Sequence, residues 1–170
     1  MHARSLLTLA AMACLGLAWS SGESVAQSPR EPFVGTWSLV SIQYVEKDGR
    51  RIEPFGPGAR GMLYFDAGGR FATQVMAANR PRFASNNRMI GTPEENKAIS
   101  QGVVAYFGTY TVDAAKHIVT LHIEQSSFPN WNGTDQLRTF AFTEDELRYT
   151  AASSTANPAE SAELVWKRAR

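Results

Sequence analysis

Four turn-forming clusters, "KDG" at 47–49, "DAGG" at 66–69, "DAAK" at 113–116 and "TEDE" at 143–146, punctuate this chain and constrain its fold more than any other feature. Gly supplies positive φ at no steric cost and Asp caps its own turn, so such clusters between apolar runs mark hairpin connections. The β-rich runs between the turn and loop signals span 35–46, 50–53, 60–66, 70–77, 107–112, 117–124, 136–142, 146–151 and 162–168. Connections of this length join antiparallel neighbours, because a parallel pair needs a crossover of a dozen residues or more. Eight or nine short antiparallel strands predict an all-β fold, either a sandwich or a closed barrel, and argue against an α/β arrangement.

One segment departs from the period of two. In "GTPEENKAISQGVVAYF", Thr92 is placed to cap, Pro93 suits the first helical position, and Glu95 completes a capping box three residues after Thr92. Ile99, Val103 and Tyr106 then fall at helical spacing on one side, which predicts a short helix near 93–104 packed over the sheet. The preceding "NRPRFASNNRMIG" is long, polar and poor in strand formers, so residues 79–92 read as the least ordered inner region and a candidate flap.

The N-terminus has the order of a secretory signal. Arg4 supplies a basic start, Leu6 to Trp19 an apolar run too short for a stable membrane span, and "SVA" a small-residue end, so cleavage is expected after Ala26. Cys14 sits in the middle of that run; a lipid anchor there would need cleavage at "AMAC", with too little apolar segment before it. Residues 1–26 therefore read as signal peptide, 27–32 as linker and 33–170 as one domain, exported to the periplasm or the exterior. Without the signal, 144 residues remain with 16 basic and 15 acidic side chains, enough for a core without staples. That balance has no basic excess or basic run to attract nucleic acid or an anionic membrane. The remaining chain has no thiol, which excludes disulfides, thiolate catalysis and cysteine metal sites.

The Gly-x-Trp of "FVGTWSLVS", at the start of the first strand, resembles the signature of lipocalins and related calycins. With "AYFGTYTVD", "FPNWNGTDQLR" and the closing "LVWKR", in that order over residues 33–168, the chain resembles the bacterial lipocalin-like domain family. The resemblance implies an antiparallel up-and-down β-barrel of eight or nine strands with one short helix, whose interior holds a small ligand. It also implies that Trp37 packs under Arg168 and closes one end, a structural role, since a guanidinium stacks on an indole face and donates to nearby carbonyls. It implies no reaction.

Candidate ligand contacts come from loop and strand chemistry. The loop "EQSSFPNWNGTDQLRTF" sets Trp131 among Pro, Asn and Gly between two strands, where it either folds back as a plug or lines a cavity mouth. "NGT" at 132–134 reads as a turn. If 117–124 and 136–142 form a hairpin symmetric about Asn130, His122 pairs with Arg138 and Glu124 with Gln136. Glu124, His122 and Arg138 would then gather inside the barrel, able to hold a carboxylate or carbonyl. If instead Val119, Leu121 and Ile123 form the inward face, His122 is a solvated residue. His117 and His122 lie an odd step apart, on opposite faces, which disfavours a shared metal. Tyr106 and Tyr110, an even step apart, both aim at one cavity or serve as core and rim aromatics, and Tyr64 is a further polar aromatic.

No G-x-S-x-G elbow, H-E-x-x-H motif or phosphate-cradling glycine loop is present, and no cofactor or catalytic residue is assigned. The expected partner is a small apolar or amphipathic molecule in the barrel, not nucleic acid. The alternatives are acid–base isomerisation or cyclisation of an apolar substrate through His122, Glu124 or a tyrosine, and a cell-envelope interaction module using residues 79–92.

Overall fold

The computed structural model describes residues 28–154 and 157–170, so the expected signal peptide at 1–26 lies outside the described residues. Nine strands follow a 3-10 turn at Glu31–Phe33: β1 Gly35–Val45, β2 Arg51–Ile52, β3 Arg60–Phe65, β4 Arg70–Met76, β5 Val103–Asp113, β6 Ile118–Ser126, β7 Asp135–Thr143, β8 Glu146–Ser154 and β9 Asn157–Arg168. Every pairing is antiparallel, consecutive strands from β3 to β9 are neighbours, and β9 closes on β1 from Trp37↔Arg168 to Val45↔Ser161. The result is an eight-stranded up-and-down barrel with β2 as an extra strand on the edge of β1.

Alternation of side chains along each strand fills the interior. Leu63 and Phe65, Phe71 and Val75, Val119, Leu121 and Ile123, then Leu147 and Tyr149 are all buried. Gly108 occupies a bulge between β5 and β6, where a Cβ would lie 1.9 Å from the His122 carbonyl oxygen, so no other residue fits that approach.

Among the described residues a single α-helix, α1, runs over Pro93–Gln101. Its start is as expected: the Thr92 hydroxyl accepts from the Glu95 N–H at 3.2 Å and the Glu95 carboxylate accepts from the Thr92 N–H at 2.9 Å. Its end is earlier than expected, and Val103 and Tyr106 belong to β5 instead of the helix face. Gly102 stops the helix, its carbonyl accepts from Ala77 N–H at 2.9 Å, and the β-branched pair Val103–Val104 continues as a strand against β4. No helical residue is buried; Ala98 and Ile99 are half-buried.

The 79–92 segment, read from sequence as a candidate flap, makes several hydrogen bonds to α1 and within itself. Glu95 also accepts from the Ala84 N–H at 2.9 Å, Asn96 donates to the Gly91 carbonyl at 3.2 Å, and Asn87 accepts from the Met89 N–H at 2.9 Å. Met89 and Ile90 remain exposed at its tip. Among the described residues, no helix is long and apolar enough to cross a membrane.

Candidate functional site

The two ends of the barrel differ. At one, where β1 starts and β9 finishes, the Arg168 guanidinium lies 4.2 Å from the Trp37 ring centroid and donates to the carbonyls of Val34 and Pro32, both at 2.8 Å. Trp37 Nε1 donates to the Phe33 carbonyl at 2.8 Å. Phe33 sits edge-on to Phe65, Phe140 and Phe142, with centroids 5.4, 4.8 and 4.9 Å away, which makes an aromatic floor.

Above that floor the barrel encloses a cavity of about 470 Å³ that opens at the other end. Its walls are mainly aliphatic and aromatic, with Ile42 and Leu63 on one side, Leu121 opposite, and Leu164 and Trp166 on β9. Phe55 from the β2–β3 loop, Gln101 from the end of α1, and Phe128 and Trp131 from the β6–β7 loop surround the mouth. Trp131 sits on a 3-10 turn, Pro129–Trp131, edge-on to Phe128 at 5.7 Å and to Tyr106 at 5.5 Å.

Few polar groups interrupt these walls. Arg138 and Gln136 project inward from β7, and Arg138 Nη2 donates to Gln136 Oε1 while Nη1 donates to the Leu137 carbonyl at 3.0 Å. Tyr44, Tyr106 and Tyr149 bring three phenols from β1, β5 and β8. Burial pushes the Tyr149 phenol well above the usual tyrosine range; Tyr106 adds to the rise and the Arg138 charge opposes it. Tyr44 is raised for the same leading reason, with Tyr106 again adding to it. Tyr149 and Trp166 are 4% and 1% exposed, and among the described residues neither Tyr149 Oη nor Trp166 Nε1 has a hydrogen-bond partner. Such orphaned groups are uncommon in folded proteins and each marks a cost or a vacancy of function.

Of the residues selected from sequence, Tyr106, Trp131 and Arg138 line this cavity and four others do not. The β6–β7 register is Val119↔Arg138, Leu121↔Gln136 and His122↔Asp135, three residues from the symmetric pairing about Asn130. An odd shift moves partners to opposite faces, so Arg138 points in and His122 out. The cause is the uneven hairpin: Ile123 N–H donates to Thr134 O and Gly133 N–H to Ile123 O, while Gln125 and Ser126 continue along β5 alone. Gly133 supplies the positive φ of that turn, at +72°.

On the outer face, His122 bonds to Asp135 Oδ1 through Nδ1 at 2.7 Å and reaches Thr111 Oγ1 from Nε2 at 3.3 Å. Glu124 forms a bidentate pair with Arg70, at 2.8 and 3.0 Å, also outside. Tyr64 is 45% exposed on the outer wall between Thr36 and Ala72. Tyr110 does point inward, but into the floor, where its hydroxyl donates to the Asp66 carbonyl at 2.8 Å and its ring packs 4.6 Å from Phe65. His117 occupies the β5–β6 turn with φ +54°. Among the described residues no group of three His, Cys, Asp or Glu is arranged to hold a metal ion.

Tyr44, Tyr149 and Trp166 were not selected from sequence. A signal for two of them is visible afterwards: Tyr149 alternates with Leu147 and Ala151 on the inward face of β8, and Trp166 lies two residues before Arg168 on the inward face of β9.

The sequence profile of the lipocalin-like domain matches residues 34–169. The chain belongs to the lipocalin-like domain family. Trp37 near one end of the match and Arg168 near the other lie on β1 and β9, the strands that pair to close this lipocalin-like barrel. No curated protein matches the sequence. A barrel of this type is in general a ligand-binding fold, and here it encloses the cavity above the aromatic floor.

Proposed function

We propose that the chain is exported and that its barrel binds a small, mainly apolar molecule in the cavity above Trp37. The observation that carries this reading is the combination of a cavity of about 470 Å³, mostly apolar walls and an aromatic mouth. Ligand sites of this kind are concave and apolar, with a few polar groups that set orientation. Removing apolar ligand surface from water contributes about 25 cal/mol per Å², most of the affinity available here. Burial makes the phenols of Tyr44 and Tyr149 hold their protons more firmly than free tyrosine does. That suits them to donate hydrogen bonds and ill suits them to act as bases.

Native mass spectrometry of protein isolated from its own source tests the reading. A copurifying apolar molecule that is released unchanged supports a binding protein, a molecule that is converted on incubation supports an isomerase or cyclase, and binding of neither kind after exposure to a lipid extract would remove both. Export is tested separately: secreted material should begin at Gln27, and recovery of a diacylated Cys14 would place the protein on a membrane.

A further inference from the structure

We propose that the molecule in the cavity carries one anionic acceptor group, in its simplest form a carboxylate, and binds head first, with that group directed to the end where Arg138, Tyr149 and Trp166 lie and its apolar tail toward Phe128 and Trp131. The proposal rests on the binding reading above and adds the chemistry and direction of the ligand.

Arg138, Tyr149 and Trp166 come from three consecutive strands. Arg138 is level with Ala151, Tyr149 with Phe140 and Leu164, and Trp166 with Leu147, so each lies one inward step nearer the floor than the last. All three line the same cavity. Their polar side-chain groups all donate: an indole N–H has no acceptor atom, a guanidinium stays protonated, and a phenol whose ionisation is opposed by burial keeps its O–H. Two of these donors are buried without a partner, which costs the full desolvation of each group unless something supplies an acceptor.

Charge points the same way. Arg138 is only partly buried, and its contacts are to neutral oxygens, the Gln136 amide and the Leu137 carbonyl. The acid nearest along its own strand, Asp135, borders the same cavity, but its carboxylate is bonded to His122 at 2.7 Å. Among the described residues no carboxylate pairs with Arg138. A neutral carbonyl would satisfy a phenol and leave the guanidinium unmatched; a carboxylate offers several lone-pair sites and the missing negative charge together. The mouth, with Phe55, Phe128 and Trp131, has the opposite character and suits a hydrocarbon tail.

The test is calorimetric titration of the wild-type protein with three probes that share a tail: dodecanoate, methyl dodecanoate and dodecanol. Dodecanoate is expected to bind at least about tenfold more tightly than the ester, the scale of a charge-assisted pair in a dry site. Arg138→Met should bring acid and ester within about twofold of each other. Tyr149→Phe should weaken dodecanoate more than it weakens the ester, and it keeps the proposal testable if the Arg138 variant fails to fold. Direction is read in a Trp131→Phe background, where dodecanoate brominated beside the carboxylate should quench the remaining indole fluorescence more than dodecanoate brominated at the tail end. Equal binding of acid and ester by wild type would overturn the head-group proposal while leaving the apolar-ligand reading intact. Reversed quenching would overturn the head-first direction. Failure of all three probes to bind would count against the binding reading itself.

Discussion

At the floor of the barrel Trp37 Nε1 has the Phe33 carbonyl, Tyr110 Oη has the Asp66 carbonyl, and Arg168 has two carbonyls and an indole face. In the cavity a second Trp, Tyr and Arg stand on the same inward faces, yet Trp166 Nε1 and Tyr149 Oη have no partner among the described residues and Arg138 has only neutral ones. The same three residue types are thus saturated at one level and under-satisfied at the other. A fold made only to be stable would saturate both, since an unmade buried hydrogen bond is more costly than a made one is helpful. On the proposal made above, the difference separates a structural plug from a surface prepared for something that accepts hydrogen bonds.

The largest effect should come from the floor. Trp37→Ala removes a fully buried indole together with its bond to Phe33 and the platform under Arg168, and an aromatic-to-alanine change in a core typically costs about 3–5 kcal/mol. Urea unfolding followed by circular dichroism should record that loss as a lower midpoint with an unchanged slope. Trp166→Phe, by contrast, deletes an N–H that has no acceptor among the described residues but also trims a buried ring, so the unliganded protein should lose about 1–2 kcal/mol, less than at Trp37. Equal and large losses at the two sites would break the distinction between floor and cavity.

The tyrosines sharpen the comparison at intermediate size. Tyr110→Phe removes a satisfied bond and should destabilise by about 1 kcal/mol, whereas Tyr149→Phe removes an unsatisfied hydroxyl and should be neutral or stabilising. Their alkaline behaviour is linked to burial. Burial pushes the Tyr110 phenol up to about 12, with Arg30 opposing and Asp66 adding to the rise, and raises Tyr149 as well. A folded-state pKa above the unfolded one means that the unfolded chain loses its proton first. The stabilisation is therefore fully present below about pH 10, the unfolded tyrosine value, and is lost as pH climbs through the folded values. Unfolding midpoints measured from pH 9 to 12 should fall in wild type and fall less in Tyr110→Phe, which lacks one of the responsible groups. A slope unaffected by that substitution would mean that the floor is wetter than its packing implies.

The floor and the fold were legible in sequence because their signals are local. Turn clusters set the hairpins, alternation set the inward faces, and the Gly35-x-Trp37 and Arg168 positions that close the barrel sit in blocks that resemble the family. The capping box of Thr92 and Glu95 was equally local, whereas the end of α1 depended on a tertiary choice, the pairing of Val103 and Val104 with β4. The site was half legible for a related reason. Whether Arg138 and His122 share a face depends on how many residues the 124–134 connection absorbs, and that is decided by β6 continuing along β5 past the point where β7 leaves it. Tyr149 and Trp166 look like ordinary core aromatics in sequence; only the absence of partners around their polar atoms distinguishes them.

The smallest expected effect lies on the outer wall, and it tests that face assignment. His122 is held in a cross-strand row with Thr111 and Asp135, and Glu124 with Arg70, all on the solvated side of the sheet. The Arg70–Glu124 side chains are 52% and 43% exposed, where water and salt screen the charges and ion pairs contribute about 0–1 kcal/mol. His122→Ala and Glu124→Ala should therefore each shift stability by no more than about 1 kcal/mol, with the Glu124 effect shrinking in high salt as exposed pairs do. Neither should alter dodecanoate affinity, because a sheet one residue thick separates these side chains from the cavity, while Arg138 on the adjoining strand should alter it strongly. A loss of affinity in His122→Ala comparable to that in Arg138→Met would mean that the two residues act on one ligand after all. The β6–β7 register in solution would then have to differ from His122↔Asp135 by an odd number of residues.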